Sequence, residues 1–399
     1  DGSYVASLVV NDGTVDSTAD TVAITAATAN STPVANAGLD QNVATGSVVT
    51  LDGSGSSDAN GDLLTYKWTL TSMPSGSTAA LSSTTAAKPT FTADKDGSYV
   101  ASLVVNDGTV DSAADTVMIT AGNFKLPDTG QTGSYTTTFG EDSDYTINPP
   151  SYADIGNGTI PDNVTGLMWQ KEDDNVTRTW EDAGTYCSNL SLGGQTDWRL
   201  PTRIELISIV NYGTYTPAIN TTYFPNTNLF YYWSSTTDAG DTSRAWCVYF
   251  GGGGVARGSK AYYHYVRCVR GNSYPSQSFT DNGNGTITDN VTGLMWQKQD
   301  DGTTKTWESA LTDCEGLSLA GYSNWRLPNI KELSSLVDDT KYNPVIDPLF
   351  TNTNSSYYRS STTDASGTSD AWLVHFGSGY VDSYYSKTSS LGLYVRCVR

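Results

Sequence analysis

Catalytic chemistry has little to work with in this 399-residue chain, which holds two histidines, His264 and His375, and five cysteines. General acid–base catalysis wants a histidine or paired carboxylates in a cleft, and the two histidines stand at non-equivalent places in a segment that occurs twice. No residue is therefore assigned a catalytic role, and a binding protein rather than an enzyme is expected. The cysteines sort by position. Cys187 and Cys314 match between the two copies, and so do Cys268 and Cys397 in the hexapeptide YVRCVR that closes each copy, at 265–270 and 394–399. Matched spacing pairs Cys187 with Cys268 and Cys314 with Cys397, closing loops of about eighty residues worth roughly 4–5 kcal/mol in the chain-entropy model. Cys247, opposite Leu373, is expected to be a lone, half-buried thiol. Asp58, Asn60 and Asp62 in DANGD alternate oxygen ligands in a tight turn, which suits calcium. The same pattern also makes an Asx-rich turn that caps its own backbone.

Two repeats organise these residues. Residues 1–26 recur as 96–121, differing only at Thr18/Ala113 and Ala23/Met118, and 156–171 recur as 283–298 with MWQK at the end of each. The domain map that follows is 1–27 as the last two strands of a truncated repeat, 33–121 as a complete one, 122–152 as linker, and 153–271 and 272–399 as two copies of a second type. The chain begins inside a repeat, so any signal peptide or anchor is expected upstream.

The net charge is −20, and the resulting field repels phosphate, so nucleic acid and anionic membranes are excluded as sequence-independent partners. No stretch approaches the roughly 18 apolar residues of a membrane span. Acidic, Tyr/Thr/Gly-rich composition with matched cysteines points to an oxidising, extracellular setting, secreted or at a cell surface.

Residues 33–121 read as short β-rich runs (VVTLDG, LTYKWTLT, PTFTA, SYVASLVVNDG, TVMITA) separated by Gly, Asn, Asp and Pro. No stretch has helical periodicity, which predicts a two-sheet immunoglobulin-like sandwich. Trp68 is the expected core aromatic, with Leu51, Leu70, Phe91, Tyr99 and Val104 around it. The run PVANAGLDQNVATGSVVTLDGSGSSDANGDLLTYKW followed by DGSYVASLVVNDG resembles an immunoglobulin-like domain of the polycystic-kidney-disease (PKD) type, a family whose modules serve mostly as spacers. The resemblance covers 33–121 fully and 1–26 as two strands of a preceding copy.

Each later copy opens with a hairpin-like segment (GTITDNVTGLMWQK) and a helix, on which Trp307, Ala310, Leu311, Cys314 and Leu317 fall at helical spacing in the second. After WRLP a second helix is predicted in each, with Thr202/Glu205 and Asn329/Glu332 as capping boxes. Strands and long loops follow, an α+β, C-type-lectin-like layout. The ordered motifs MWQK, NWRLP or DWRLP, SSTT, AW and YVRCVR resemble the C-terminal domain family of bacterial collagen-like adhesins over roughly 153–271 and 276–399. More distantly they are similar to the formylglycine-generating enzyme fold. The resemblance implies an extracellular recognition domain. Family members in collagen-like adhesins bind sulfated polysaccharide, whereas this chain is acidic.

Comparing the copies separates scaffold from face. Trp246/Trp372, Phe250/Phe376 and Val255/Val381 stay fixed, and Tyr231 and Tyr232 match Tyr357 and Tyr358. Between them Trp233 faces Arg359, Arg244 faces Asp370, Tyr249 faces His375 and Gly254 faces Tyr380. Ala256–Arg257 face Asp382–Ser383, and Gly258–Ser259 face Tyr384–Tyr385. The changing residues are those of a paratope, rigid amphipathic aromatics among small adaptable polar groups. Tyr231, Tyr232, Trp233, Arg244, Tyr249, Arg257, Lys260, Tyr262 and Tyr263, with Tyr357, Tyr358, Arg359, Asp370, His375, Tyr380, Asp382, Tyr384 and Tyr385, form the expected ligand-binding face; Arg267, Arg270, Arg396 and Arg399 are expected to be structural. Asn codons mutated at adenines yield the same palette, which resembles lectin-fold proteins diversified by retroelements.

The expected function is an extracellular bacterial adhesin, a PKD-type stalk presenting two lectin-like domains to a glycan or a surface protein. A filament or sheath subunit that exchanges strands or domains is the alternative. Subtracting the recurring Arg pair leaves the first face at +3 and the second at −1, so the two copies are expected to prefer different ligands.

Overall fold

The computed structural model describes residues 2–26, 29–43, 45–95, 97–122 and 124–399. It divides into two compact units, 1–41 with 46–120, and 42–45 with 121–399. Asp1 and Ala27, the ends of the expected N-terminal fragment, lie outside the described residues.

In the first unit Thr65–Ser72, Gly97–Asn106 and Asp115–Ala121 run side by side, with Gly97–Asn106 between the other two. Val48–Thr50 pairs with Thr90–Thr92 in a second sheet. Trp68, Leu51, Phe91 and Tyr99 fill the core as expected. Leu70 and Val104 do not. Alternation along Gly97–Asn106 sends Tyr99, Ala101, Leu103 and Val105 inward, so Leu103 and Val105 take the place expected for Val104. The N-terminal repeat forms its own hairpin, Gly2–Leu8 against Asp20–Ala26, and shows what burial depends on. Tyr4 is 62 % exposed while Tyr99, its counterpart, is 0 % exposed. Among the described residues a facing sheet covers the second repeat and not the first.

Two of the expected calcium ligands, Asp58 and Asn60, hold backbone N–H groups, while Asp58 Oδ2 is buried with no hydrogen-bond partner among the described residues. Asp58 Oδ1 accepts from the N–H groups of Asn60 (2.7 Å) and Asp62 (3.2 Å), and Asn60 Oδ1 accepts from Ser31 N–H (2.7 Å). Among the described residues no group of three His, Cys, Asp or Glu is placed to hold a metal ion.

In the second unit each copy carries the same parts. A helix, α1 (Trp180–Ser188) or α3 (Trp307–Glu315), is capped by Thr179 or Thr306. A shorter one, α2 (Arg203–Ser208) or α4 (Ile330–Ser335), begins with the predicted capping box. The box glutamates are also gripped by the arginines of WRLP, Arg199–Glu205 at 2.7 Å and Arg326–Glu332 at 2.6 Å. Disulfides Cys187–Cys268 and Cys314–Cys397 tie α1 and α3 to the closing hexapeptides, and Cys247 is a free, buried thiol. Arg267 and Arg396 are buried and structural, donating to the carbonyls of Gln170 (2.7 Å) and Gln297 (2.7 Å).

The copies are fused rather than strung apart. Tyr231–Thr237, Arg244–Tyr249 and Val255–Ser259 meet Val381–Asp382, Ala371–His375, Tyr357–Thr363 and Leu393–Tyr394 in one seven-stranded sheet, joined at Val255 and Val381. Behind the joint Tyr212 packs edge-on to Trp372 (5.0 Å) and Trp246 to Tyr380 (5.7 Å), within a hydrophobic core shared by both copies. Arg203 Nε reaches Asp339 (2.7 Å) and Lys331 Nζ donates to the Ser208 carbonyl (2.8 Å), locking α2 against α4. Much of the stretch expected as linker, 122–152, is a strap with buried Thr129, Gln131, Glu141 and Asp142.

Candidate functional site

The joint between the copies opens a cleft of about 460 Å³. Tyr231 and Tyr249 sit directly across from each other on adjacent strands of the first copy, rings 5.2 Å apart. Tyr357 and His375 repeat that pair in the second, at 4.5 Å. Tyr380, Asp382 and Tyr384 close the cleft from the strand that makes the joint. Six of these seven residues, all but His375, thus line one cavity although they were expected on two separate faces.

Each carboxylate in the cleft is held. Asp364 accepts from Ser383 Oγ (2.6 Å) and from Ser366 Oγ and N–H (both 2.8 Å). Burial pushes the Asp382 carboxyl above the usual range, against the Tyr384 N–H and the Tyr357 hydroxyl, which pull it down. At the edge Arg257 pairs with Asp238 (2.8 Å), donates to the Tyr380 hydroxyl (3.1 Å) and lies 4.7 Å over its ring. The positive charge of the first copy is thereby spent on fixing a tyrosine of the second. His375 Nδ1 is 2.8 Å from Ser378 Oγ, and its pKa is lowered by burial and then by Arg257. The wall is rigid, aromatic and hydroxylated, with fixed carboxylates: it can stack on a flat apolar face and accept hydrogen bonds.

Other expected residues lie elsewhere. Trp233 and Arg359 are wholly buried, a correction to their place on the face. Trp233 donates to the Arg178 carbonyl (2.9 Å) and packs on His264 (4.3 Å), whereas Arg359 donates to the carbonyls of Lys305 (3.0 Å) and Ser386 (3.3 Å). Tyr232 and Tyr358 are also core, their hydroxyls donating to Asp173 and Asp300. Arg244 pairs with Asp241 in solvent (3.1 Å), and Lys260 sits 3.9 Å over Trp180. Tyr262 and Tyr263 are exposed away from the cleft lining, Asp370 bridges to Ser386, and Tyr385 backs Tyr357 at 5.2 Å. Trp372, Asp364 and Ser366 line the cleft unforeseen. Trp372 was legible as a fixed aromatic, but only the joint between copies turns its edge toward a cavity.

The Lcl C-terminal domain family model matches residues 158–270 and 285–399, and the K319L-like PKD domain model matches 37–121. A search of curated proteins returns no match. Among solved structures the chain is similar to a nucleoside hydrolase-related protein from Saccharophagus degradans described as associated with carbohydrate metabolism. Identity is 27 % over 23 % of this chain and 26 % of that one, about a quarter of its length, with a TM-score of 0.21. It is similar to the PKD domain from the KIAA 1837 protein, at 29 % identity over 24 % of this chain and 92 % of that one, TM-score 0.20. It is also similar to the adhesin InvE of Yersinia pseudotuberculosis, at 13 % identity over 92 % and 97 %, TM-score 0.22. These scores are too low to carry function across.

Proposed function

We propose that this chain, which belongs to the Lcl C-terminal domain family over more than half its length, is an extracellular adhesin-type recognition protein whose paired, lectin-like domains bind a glycan in their shared cleft. The observation that carries the reading is the convergence of Tyr231, Tyr249, Tyr357, Tyr380, Asp382 and Tyr384 on one cavity. Tyrosine faces stack on the apolar face of a sugar ring, and carboxylates with serine hydroxyls beside them take its hydroxyl hydrogens. Asp364 and Asp382 make a sulfated or carboxylated sugar unfavourable there, because like charge costs more as water is excluded. A neutral or amino sugar fits that lining. Two disulfides support an extracellular site of action.

A glycan array probed with the whole chain tests this. Neutral or amino glycans are expected to bind, and Tyr357→Ala or Asp382→Asn to weaken them about tenfold or more, the usual scale for losing a stacked ring or a charged hydrogen bond. Retention limited to sulfated glycans, unaffected by both substitutions, would sink the proposal.

A further inference from the structure

The strap seats on a floor that both copies possess and only one uses. In the second copy Thr362 Oγ1 donates to Asp142 (2.7 Å), and Thr363 donates from Oγ1 to Glu141 (2.6 Å) and from N–H to Gln131 (2.7 Å). Lys331 Nζ donates to the Asp128 carbonyl (2.9 Å). The occupant is thus the segment 128–142, which presents two adjacent carboxylates to the SSTT run from the start of a short 3-10 helix, Asp142–Asp144.

The first copy repeats the floor. Thr236 Oγ1 accepts from Arg203 N–H (2.9 Å) as Thr362 Oγ1 accepts from Ile330 N–H (3.0 Å), so both hydroxyls keep their hydrogens for an outside acceptor. Above Thr202, Arg203, Ile204 and Thr236 lies a cavity of about 360 Å³, closed on its far side by residues 274–277 and 334–340. Ser235 is exposed and Thr236 and Thr237 half-buried, whereas Ser361, Thr362 and Thr363 are sealed. The floor keeps one cation but moves it, since Ile204 stands where Lys331 does. Arg203 replaces Ile330 and is 1 % exposed; it spends Nε on Asp339 (2.7 Å), and its Nη1 has no hydrogen-bond partner among the described residues. A buried guanidinium with an unused donor favours a carboxylate.

We propose that this cavity is a second binding site, a seat for a peptide segment of another polypeptide whose adjacent carboxylates take the places that Glu141 and Asp142 take in the other copy. The Thr236 and Thr237 hydroxyls donate to the pair, and Arg203 offers its unused Nη1 donor, while the two carboxylates already in the lining, Asp338 and Asp339, are paired with Lys341 and Arg203. Thr237 already accepts from Lys260 Nζ at 2.9 Å, which leaves its own hydrogen to give. The site is independent of the tyrosine cleft.

The test uses the whole chain and a fluorescein-labelled synthetic peptide of residues 126–146, read by anisotropy. Saturable one-to-one binding is expected. Glu141→Gln with Asp142→Asn in the peptide should weaken it tenfold or more on unaltered protein, and Thr236→Val in the protein should do the same. Absence of saturable binding up to millimolar peptide overturns the proposal. So does binding that survives Thr236→Val but is lost with Thr362→Val, which means exchange of the resident strap. Acetate competing as well as the peptide, mole for mole, also overturns it, since the cavity then holds an anion and not a segment.

Discussion

One core position is solved twice with opposite chemistry. At 233 an indole fills the space and donates one hydrogen bond; at 359 a guanidinium fills it and satisfies several carbonyls, and burial pulls its pKa down to about 10. The neighbours follow. A Cβ on Gly258 would come within 2.9 Å of the Trp233 ring and 2.8 Å of His264 Nε2, so Gly258 is compelled by the indole, while Tyr384 opposite it stands in solvent. Gly258→Ala is expected to cost roughly 1–3 kcal/mol as overpacking, read as a lowered denaturation midpoint, and Trp233→Leu in the same chain should recover much of it. Additive losses would contradict this steric coupling. Such pairs explain why variation between copies was an imperfect guide to a binding face: a changed residue marks either a ligand contact or a compensated core, and the alignment does not separate them. Of the changed residues, Tyr249 and Tyr380 lie on the cleft wall, and Trp233 and Arg359 lie in the core.

Helices, capping boxes and disulfides were legible because each is written in local spacing. The strap was not, because its anchors are distant in sequence and its composition is that of a linker. Asp142 is its most telling residue. Buried between the hydroxyls of Thr129 (2.6 Å) and Thr362 (2.7 Å), its carboxyl is pushed up to about 7, by burial first and by Asp128 and Glu332 after it. Lys331, buried beside it, is pulled down to about 8 by burial. A carboxyl whose folded pKa is raised binds its proton more tightly folded than unfolded. Its contribution is therefore fully present below about pH 4 and is lost as pH rises to about 7, at about 1.4 kcal/mol per unit. Asp142→Asn copies the protonated form. The difference in stability between the two proteins should grow in the variant's favour from pH 4 to 7 and then level off, measured by hydrogen exchange over 126–146. A difference that stays flat across that window would remove Asp142 as the titrating group.

At the scale of the second unit, the fused sheet makes a claim about cooperativity. Repeat boundaries in sequence predicted two domains, each with its own disulfide. The fold instead runs one sheet through Val255 and Val381 and places Trp246 of the first copy against Tyr380 of the second. Trp246 is almost wholly buried, and Gly379 approaches so closely that a Cβ there would lie 3.0 Å from the indole. Trp246→Ala is expected to cost about 3–5 kcal/mol, the range for removing a large buried ring. Which residues lose protection decides between the two architectures. If the copies folded independently, hydrogen exchange would speed up in 153–271 alone, because stability is lost within the cooperative unit that holds the cavity. A shared core predicts that peptides from α3, α4 and Tyr357–Thr363 accelerate together with those from α1 and α2, while 97–120, in the other compact unit, keep their rates. Acceleration confined to the first copy would refute the single-unit reading, and with it the expectation that both walls of the tyrosine cleft are held in register by one body.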